Sequence, residues 1–350
     1  MIKKFSLLPD VVITVSIIFI ICLSILVLYS SDPELALQQA VFASFGLIIY
    51  LFLTMINFEY LGRFFYPSYL IIIGLLVLTY LIGLETRGSL RWIPLGVFQF
   101  QPSELAKPMI ALVLAYFWQT RLTSWRNLFL SLLIILPSLF LIFQQPDLGT
   151  SLTILALWFF GLIGANLSNF KLVSLIGLGV VMVPILNLFL HDYQKTRLLN
   201  FLSPTQDPLG AGYNVIQSTI AVGSGGILGR GLGHGTQSRL RFLPEFRTDF
   251  MFASVAEEFG LLGGALILVL YGLIIYRSLL VLCKIKSRFY QVLVFSSVGL
   301  IFFQVTVNIG MNIGIMPVTG ITLPLLSYGG SSLISTLILL SFISSAAKNS

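Results

Sequence analysis

Charge is what this chain of 350 residues has least of: Asp, Glu, Lys and Arg together make up 9% of it, against roughly 25% in an ordinary soluble domain. That shortage excludes a water-facing globule. Cysteine is also scarce. Cys22 falls in an apolar run and Cys283 in a basic connection, which excludes a disulfide and a paired-thiol metal site. Only two histidines are present, and neither His191 nor His234 has an HExxH partner, so neither a zinc site nor a catalytic triad is indicated. Strand-type alternation is missing too, which argues against a β-barrel. The first apolar run lacks a small-residue cleavage site and reads as a first span, not a cleaved signal peptide.

What is present is hydrocarbon. The chain is 57% hydrophobic, with a mean hydropathy of +0.98. Apolar runs near the ~20 residues needed to cross a bilayer as a helix lie at about 11–29, 36–57, 69–84, 105–118, 128–143, 148–165, 171–190, 250–276, 290–316 and 323–347. The expectation is an all-α integral membrane protein of ten helices, one polytopic domain over 1–350, with a long extracytoplasmic loop at 191–250. Basic residues set its orientation. With a cytoplasmic N-terminus, one side holds Lys3, Lys4, Arg63, Arg121, Arg126, Lys171, Arg277, Lys284, Lys286, Arg288 and Lys348. The short connections of the other side hold only Arg87, Arg91 and Lys107. Both termini are therefore expected in the cytoplasm. The net charge of +7 is mostly this topogenic signal, and no nucleic-acid partner is expected.

Polar loops gather on the outward side. A charge in hydrocarbon costs several kcal/mol, so it normally faces a cavity or a partner. Three such groups stand out: Glu104 with Lys107, Asp147, and Asp249 with Glu257 and Glu258 behind it. Glu104 and Lys107 share a helical face, which leaves a structural staple and a site equally open. Asp147 opens a helix, where an acid suits capping. Glu257 and Glu258 point in different directions and are read as structural hydrogen-bond acceptors. Gln304, Asn308 and Asn312 repeat every four residues, a polar stripe of the kind that glues helices together. "GSGGILGRGLGHG", 223–235, resembles a phosphate cradle but lacks the GK[ST] ending, and re-entrant turns need glycine for steric reasons alone. Ser327 lacks a nearby base and is read as a helix-entry residue.

Together the outward loops supply the carboxylates Glu104, Asp147, Glu245 and Asp249 and the cations Arg91, Lys107, Arg197, Arg241 and Arg247. That mixture suits a lipid-linked sugar phosphate: cations to hold a leaving diphosphate, a carboxylate to take a proton from an attacking hydroxyl, apolar walls for the tail. A transporter of the same substrate would need similar groups.

"RWIPLGVFQFQPSELAK", "QQPDLGT", "YNVIQSTIAVGSGG", "GLGHGTQSRLRFLPEFRTDF" and "MPVTGITLPLLSYGGSS" resemble, in order and over nearly the whole chain, the SEDS family of shape, elongation, division and sporulation proteins. The wording is closest to the elongation branch. The resemblance implies a ten-helix peptidoglycan glycosyltransferase that polymerises lipid II at the outer face of the bacterial cytoplasmic membrane. It also implies a class B penicillin-binding protein as cross-linking partner, the elongation machinery around both, and a divalent cation, magnesium or manganese, at the diphosphate. Carried onto this chain, the catalytic base is Asp249, and Glu104, Lys107, Asp147, Arg91, Arg197, Gln217 and Ser327 become substrate-binding candidates beside Arg241, Arg247 and Glu245. One position departs: members commonly carry His two residues before the acid, and here Arg247 stands there, which removes a titratable imidazole. A lipid II flippase and a non-catalytic scaffold for a transpeptidase are the alternatives. A flippase would need charges through the whole membrane depth, whereas these cluster outward; a scaffold needs no intramembrane acid.

Overall fold

The computed structural model describes residues 9–86, 89–95, 98–189, 195, 201, 212–240 and 242–349. Two capped helices open it. Asp10 accepts from Val12 and Ile13 N–H to start α1 (Val11–Ser31), and Asp32 accepts from Leu35 N–H to start α2 (Pro33–Leu53), with Pro33 in the first turn; a side-chain acceptor there satisfies helix donors that have no intrahelical partner. A short turn at Phe58–Leu61 leads into α3 (Gly62–Ile82). After strands β1 (Leu84–Thr86), β2 (Ser89–Leu95) and β3 (Phe98–Phe100) come α4 (Pro102–Gln119), α5 (Trp125–Gln144), α6 (Leu148–Gly164) and α7 (Asn169–Phe189). Then follow α8 (Tyr213–Ser224), α9 (Thr236–Arg239), α10 (Met251–Leu282), α11 (Arg288–Asn312) and α12 (Gly330–Asn349).

Among the described residues seven helices are long and apolar enough to cross a membrane: α1, α2, α3 with its preceding turn, α5, α10, α11 and α12. α6 and the Asn169–Met182 part of α7 are shorter apolar helices, and α4 carries Glu104 and Lys107 in its first two turns. α11 sits at the centre, with 78% of its apolar window buried. Small residues let α6 approach it: a Cβ on Gly161 would lie 2.6 Å from Ser296 Oγ, and one on Gly164 2.8 Å from Val292 Cα. Close backbone approach is the usual basis of helix packing in lipid.

Three expectations need correction. The stretch 84–100 is an antiparallel three-stranded sheet in the order β1-β2-β3, pairing Leu84 with Trp92 and Ile93 with Phe100. β1 and β3 have three residues each, too short to display a period of two, and the alternation of the seven-residue β2 breaks at Trp92–Ile93. The expected loop at 191–250 contains α8 and α9.

The third correction is that the run at 250–276 is not one straight span. Gly260 has φ +65 and ψ −159 inside α10, and the chain reverses there. A Cβ on Gly264 would lie 3.5 Å from the ring of Phe252, whereas twelve residues of straight helix span about 18 Å. Residues 251–259 thus form a re-entrant arm folded against residues 261–282. The latter cover about 33 Å, one bilayer core.

The glycine-rich segment seals this elbow. Arg230 and Gly231 N–H donate to the Glu257 and Glu258 carbonyls at 3.0 Å each, while Leu261 and Leu262 N–H donate to the Gly226 and Ile227 carbonyls at 2.9 and 3.3 Å. Glu257, fully buried, accepts from Gln237 N–H (2.8 Å), Ser238 N–H (3.2 Å) and the Thr236 and Ser238 hydroxyls (3.2 and 3.1 Å). Glu258 accepts from Ser30 Oγ at 2.7 Å. Backbone groups freed by a helix break in lipid must be satisfied inside the protein, and this segment satisfies them. The glycines are needed for contact: a Cβ on Gly225 would meet the Ala256 carbonyl oxygen at 1.9 Å.

Candidate active site

Asp249 stands at the first turn of the re-entrant arm and is partly exposed. Its backbone carbonyl accepts from Asn308 Nδ2 (2.9 Å) and Asn312 Nδ2 (3.0 Å) of α11. Asn312 Oδ1 takes the Ala253 N–H at 3.0 Å, so one amide serves both ends of the helix start. The preceding carbonyl, of Thr248, accepts from Ser327 Oγ at 2.5 Å. Ser327 also receives the Leu323 N–H at 2.8 Å, and its own carbonyl accepts from Gln39 Nε2 at 3.3 Å. Ser24 donates to the neighbouring Leu326 carbonyl at 2.6 Å. Ser24 lies eight residues before Asp32 and Gln39 seven after it, so this support sits about 10–12 Å below the α1–α2 turn. The acid therefore enters from a recessed, polar-lined position, not from a loop tip.

Arg247 Nη2 lies 3.1 Å from Asp32 Oδ2 at the α1–α2 turn, and its guanidinium stacks 5.0 Å over the Phe246 ring. The Tyr328 N–H donates to the Arg247 carbonyl at 2.9 Å. Burial pushes the Tyr328 hydroxyl above the ordinary tyrosine value, although Arg247 nearby pulls the other way. It stays protonated and donates to Gln38 Oε1 at 2.6 Å. Glu245 adopts φ +55, an uncommon backbone for a residue with a Cβ. Its carbonyl accepts from Thr248 and Phe250 N–H and its carboxylate from Thr248 Oγ1 at 3.1 Å, which makes it the hinge of the turn that delivers Asp249.

A second polar group forms where α4, α6 and β2 meet. Glu104 Oε2 and Lys107 Nζ are 2.6 Å apart, and both side chains are buried. Asp147 caps α6 by accepting from Thr150 N–H (3.0 Å) and Thr150 Oγ1 (2.9 Å), and its Oδ2 lies 3.7 Å from Arg91 Nε. Arg91 also donates to the Gln145 carbonyl at 3.4 Å and to that of Pro146. Capping and pairing are thus both realised at Asp147. The α12 entry ties this group in: Ser331 Oγ receives the Gln101 N–H at 3.1 Å and Ser335 Oγ donates to the Glu104 carbonyl at 2.7 Å. Between the two groups runs the segment 317–329, whose Ile321 carbonyl accepts from Asn308 at 2.7 Å and whose Thr319 carbonyl would lie 2.8 Å from a Cβ on Gly149 of α6.

Gln217 is half-buried on α8, beside Ser218, whose hydroxyl reaches the Asn312 carbonyl at 2.6 Å. Arg197 and Arg241 lie outside the described residues. Asp32, Gln39 and the Asn308–Asn312 pair are the site residues the sequence reading missed. The four-residue polar repeat was the available signal, but it does not say that the groove it faces holds the carbonyl of Asp249. Among the described residues no three His, Cys, Asp or Glu side chains come together as an all-protein metal cage, and Glu104 and Asp147 each lie beside a cation.

A family profile described as cell cycle protein, FtsW/RodA/SpoVE, matches residues 4–350. The chain is 46% identical over 273 residues to the peptidoglycan glycosyltransferase MrdB of Escherichia coli strain K12, covering 76% of this chain and 73% of that protein. It is 36% identical to the stage V sporulation protein E of Bacillus subtilis, covering 95% and 94%. Among solved structures, a chain of a peptidoglycan synthase complex that coordinates polymerization and crosslinking superposes with a TM-score of 0.83 at 36% identity, covering 97% and 98%. The rod shape determining protein RodA of Thermus thermophilus superposes at 0.73 with 30% identity, covering 97% of each chain. With its recessed acid, its multi-pass helical body and these relatives, the chain belongs to the FtsW/RodA/SpoVE family.

Proposed function

We propose that this chain is a peptidoglycan glycosyltransferase that polymerises lipid II during cell-wall elongation, as a single membrane domain. α4, α6 and α7 cross the bilayer with the seven longer helices to make ten spans; both termini face the cytoplasm and the acid-bearing mouth faces outward. Asp249 takes the proton from the 4-hydroxyl of the acceptor's N-acetylglucosamine. The oxygen attacks the anomeric carbon of the growing chain's N-acetylmuramic acid with inversion from α to β, and undecaprenyl diphosphate leaves. Arg247, Lys107 and Arg91, each held beside a carboxylate, supply the cations that meet the leaving charge. A class B penicillin-binding protein cross-links the product.

One observation carries this reading: the backbone of Asp249 and of Thr248 before it is fixed by Asn308, Asn312 and Ser327, while the acid itself remains partly exposed. A general base needs a fixed reach to the proton it removes. The test is a gel assay of glycan strands from lipid II, with purified wild type and Asp249→Asn, each with and without the partner. The substitution keeps the shape and removes the base, so strand synthesis is expected to fall by about 10²–10⁴. Synthesis at the wild-type rate would show that the base lies elsewhere. Labelled lipid II that crosses liposome leaflets without polymer would favour a flippase instead.

A further inference from the structure

We infer that the sealed elbow of α10, built from residues 226–232 and 261–262, is a wedge seated in the bilayer interface that rests on anionic phospholipid headgroups. Ile227 and Leu228 are 68% and 77% exposed, and Leu232, Leu261 and Leu262 are exposed beside them. These residues share one surface because Leu261 and Leu262 N–H groups are hydrogen-bonded to the Gly226 and Ile227 carbonyls. A patch of this kind on a water-facing loop would be a liability.

Its depth follows from two independent measures. Residues 261–282 span about one bilayer core, so Leu261 and Leu262 sit at its edge. Glu258, just before the break, bonds Ser30 at the last turn of α1, and α1 is itself 21 residues long, again about one core thickness. The apolar elbow is thus continuous with the lipid-facing side of α10, where Leu266 and Val269 are also exposed. On its rim stand the exposed Arg230 and Arg239. Arg230 gives Nε and Nη1 to the Ser224 carbonyl and Thr236 Oγ1, and Arg239 gives Nη1 to the Gly233 carbonyl. Each guanidinium has five donors, so further donors remain at the level where headgroup phosphates lie. An apolar wedge with arginines above it matches an anionic leaflet.

The test uses the full chain with Cys22 and Cys283 replaced by serine and a nitroxide on Leu228→Cys or, separately, Leu262→Cys. Each is reconstituted into vesicles of phosphatidylglycerol or of phosphatidylcholine. Collision with oxygen is expected to exceed collision with a neutral nickel chelate at both positions. The label at 228 should sit deeper in phosphatidylglycerol, and Arg230→Gln with Arg239→Gln should erase that difference. Nickel access at 228 equal to that of a label in water would overturn the wedge and leave a protein partner as the cover for this patch. A phosphatidylglycerol effect that survives both arginine substitutions, or no such effect in the parent, would overturn the headgroup contact.

Discussion

A carboxylate that removes a proton needs a fixed place more than a strong neighbour, and here the place is fixed through the main chain. Two asparagine amides grip the Asp249 carbonyl. Asn308 also holds the Ile321 carbonyl, so Asn308→Ala leaves that acceptor unpaired and the Asp249 carbonyl held by Asn312 alone. Leaving a buried polar group unpaired costs about 1–3 kcal/mol; the expected result is a drop of roughly ten- to a hundredfold in strand synthesis, read in the lipid II gel assay. Binding of the partner should be unchanged. Glu104 and Lys107 make a different case, because each is the other's charge balance in a buried setting. Lys107→Met leaves an uncompensated carboxylate and should destabilise the protein by about 3–5 kcal/mol, with Glu104→Gln in the same chain restoring most of it. Thermal melting in detergent of the two single variants and the double variant closes that cycle. The acids themselves were legible in the sequence because a charge in an apolar run is conspicuous. Their partners were not: Asp32 finds Arg247, and Ser327 finds Thr248, only after the chain has folded.

At the level of elements, hydropathy located the apolar runs but could not see where one of them turns back. Both arms of α10 are apolar, and the reversal is encoded by a single glycine whose φ of +65 is open to it alone at low cost. Backbone at φ +65, ψ −159 is essentially closed to a residue with a Cβ and costs about 1–3 kcal/mol, and the Cβ of Gly260→Ala would also lie 2.3 Å from the Gly229 nitrogen. The variant should therefore lose several degrees in melting temperature or fail to accumulate, whereas Gly272→Ala, in the same helix with open space around it, should melt as wild type. Glu257 tests the seal separately. Its carboxylate accepts four hydrogen bonds from residues 236–238, and a Gln there turns donors toward donors. Hydrogen exchange in Glu257→Gln should quicken over residues 230–239 while α11 keeps its protection. The strands before α4 escaped notice for a related reason: β1 and β3 are too short to carry a pattern, and β2 places Trp92 and Ile93 side by side.

For the molecule as a whole, fold class came from composition, and an expected orientation came from where Lys and Arg fall. The recessed site came from neither, because it depends on 317–329 folding back between α11 and α12 to meet the α1–α2 hairpin. Tyr271 donates to the Pro324 carbonyl, Ser24 to that of Leu326 and Gln39 to that of Ser327, three helices gripping one segment below the α1–α2 turn. This arrangement makes a definite demand on topology. The α1–α2 turn, the elbow of α10 and the mouth at Asp249 must share one side of the membrane. The α10–α11 connection, at the far end of residues 261–282, must lie on the other. Cys283 in that connection and Cys22 within α1 are both free thiols, so the protein carries its own probes. A membrane-impermeant maleimide applied to intact spheroplasts should label an added His234→Cys and spare Cys283. Permeabilisation should then expose Cys283, while Cys22 at mid-membrane depth stays unlabelled in both states. Labelling of Cys283 before permeabilisation would invert the protein and place Asp249 on the cytoplasmic side, where a polymerase of outward-facing lipid II has no use for a base.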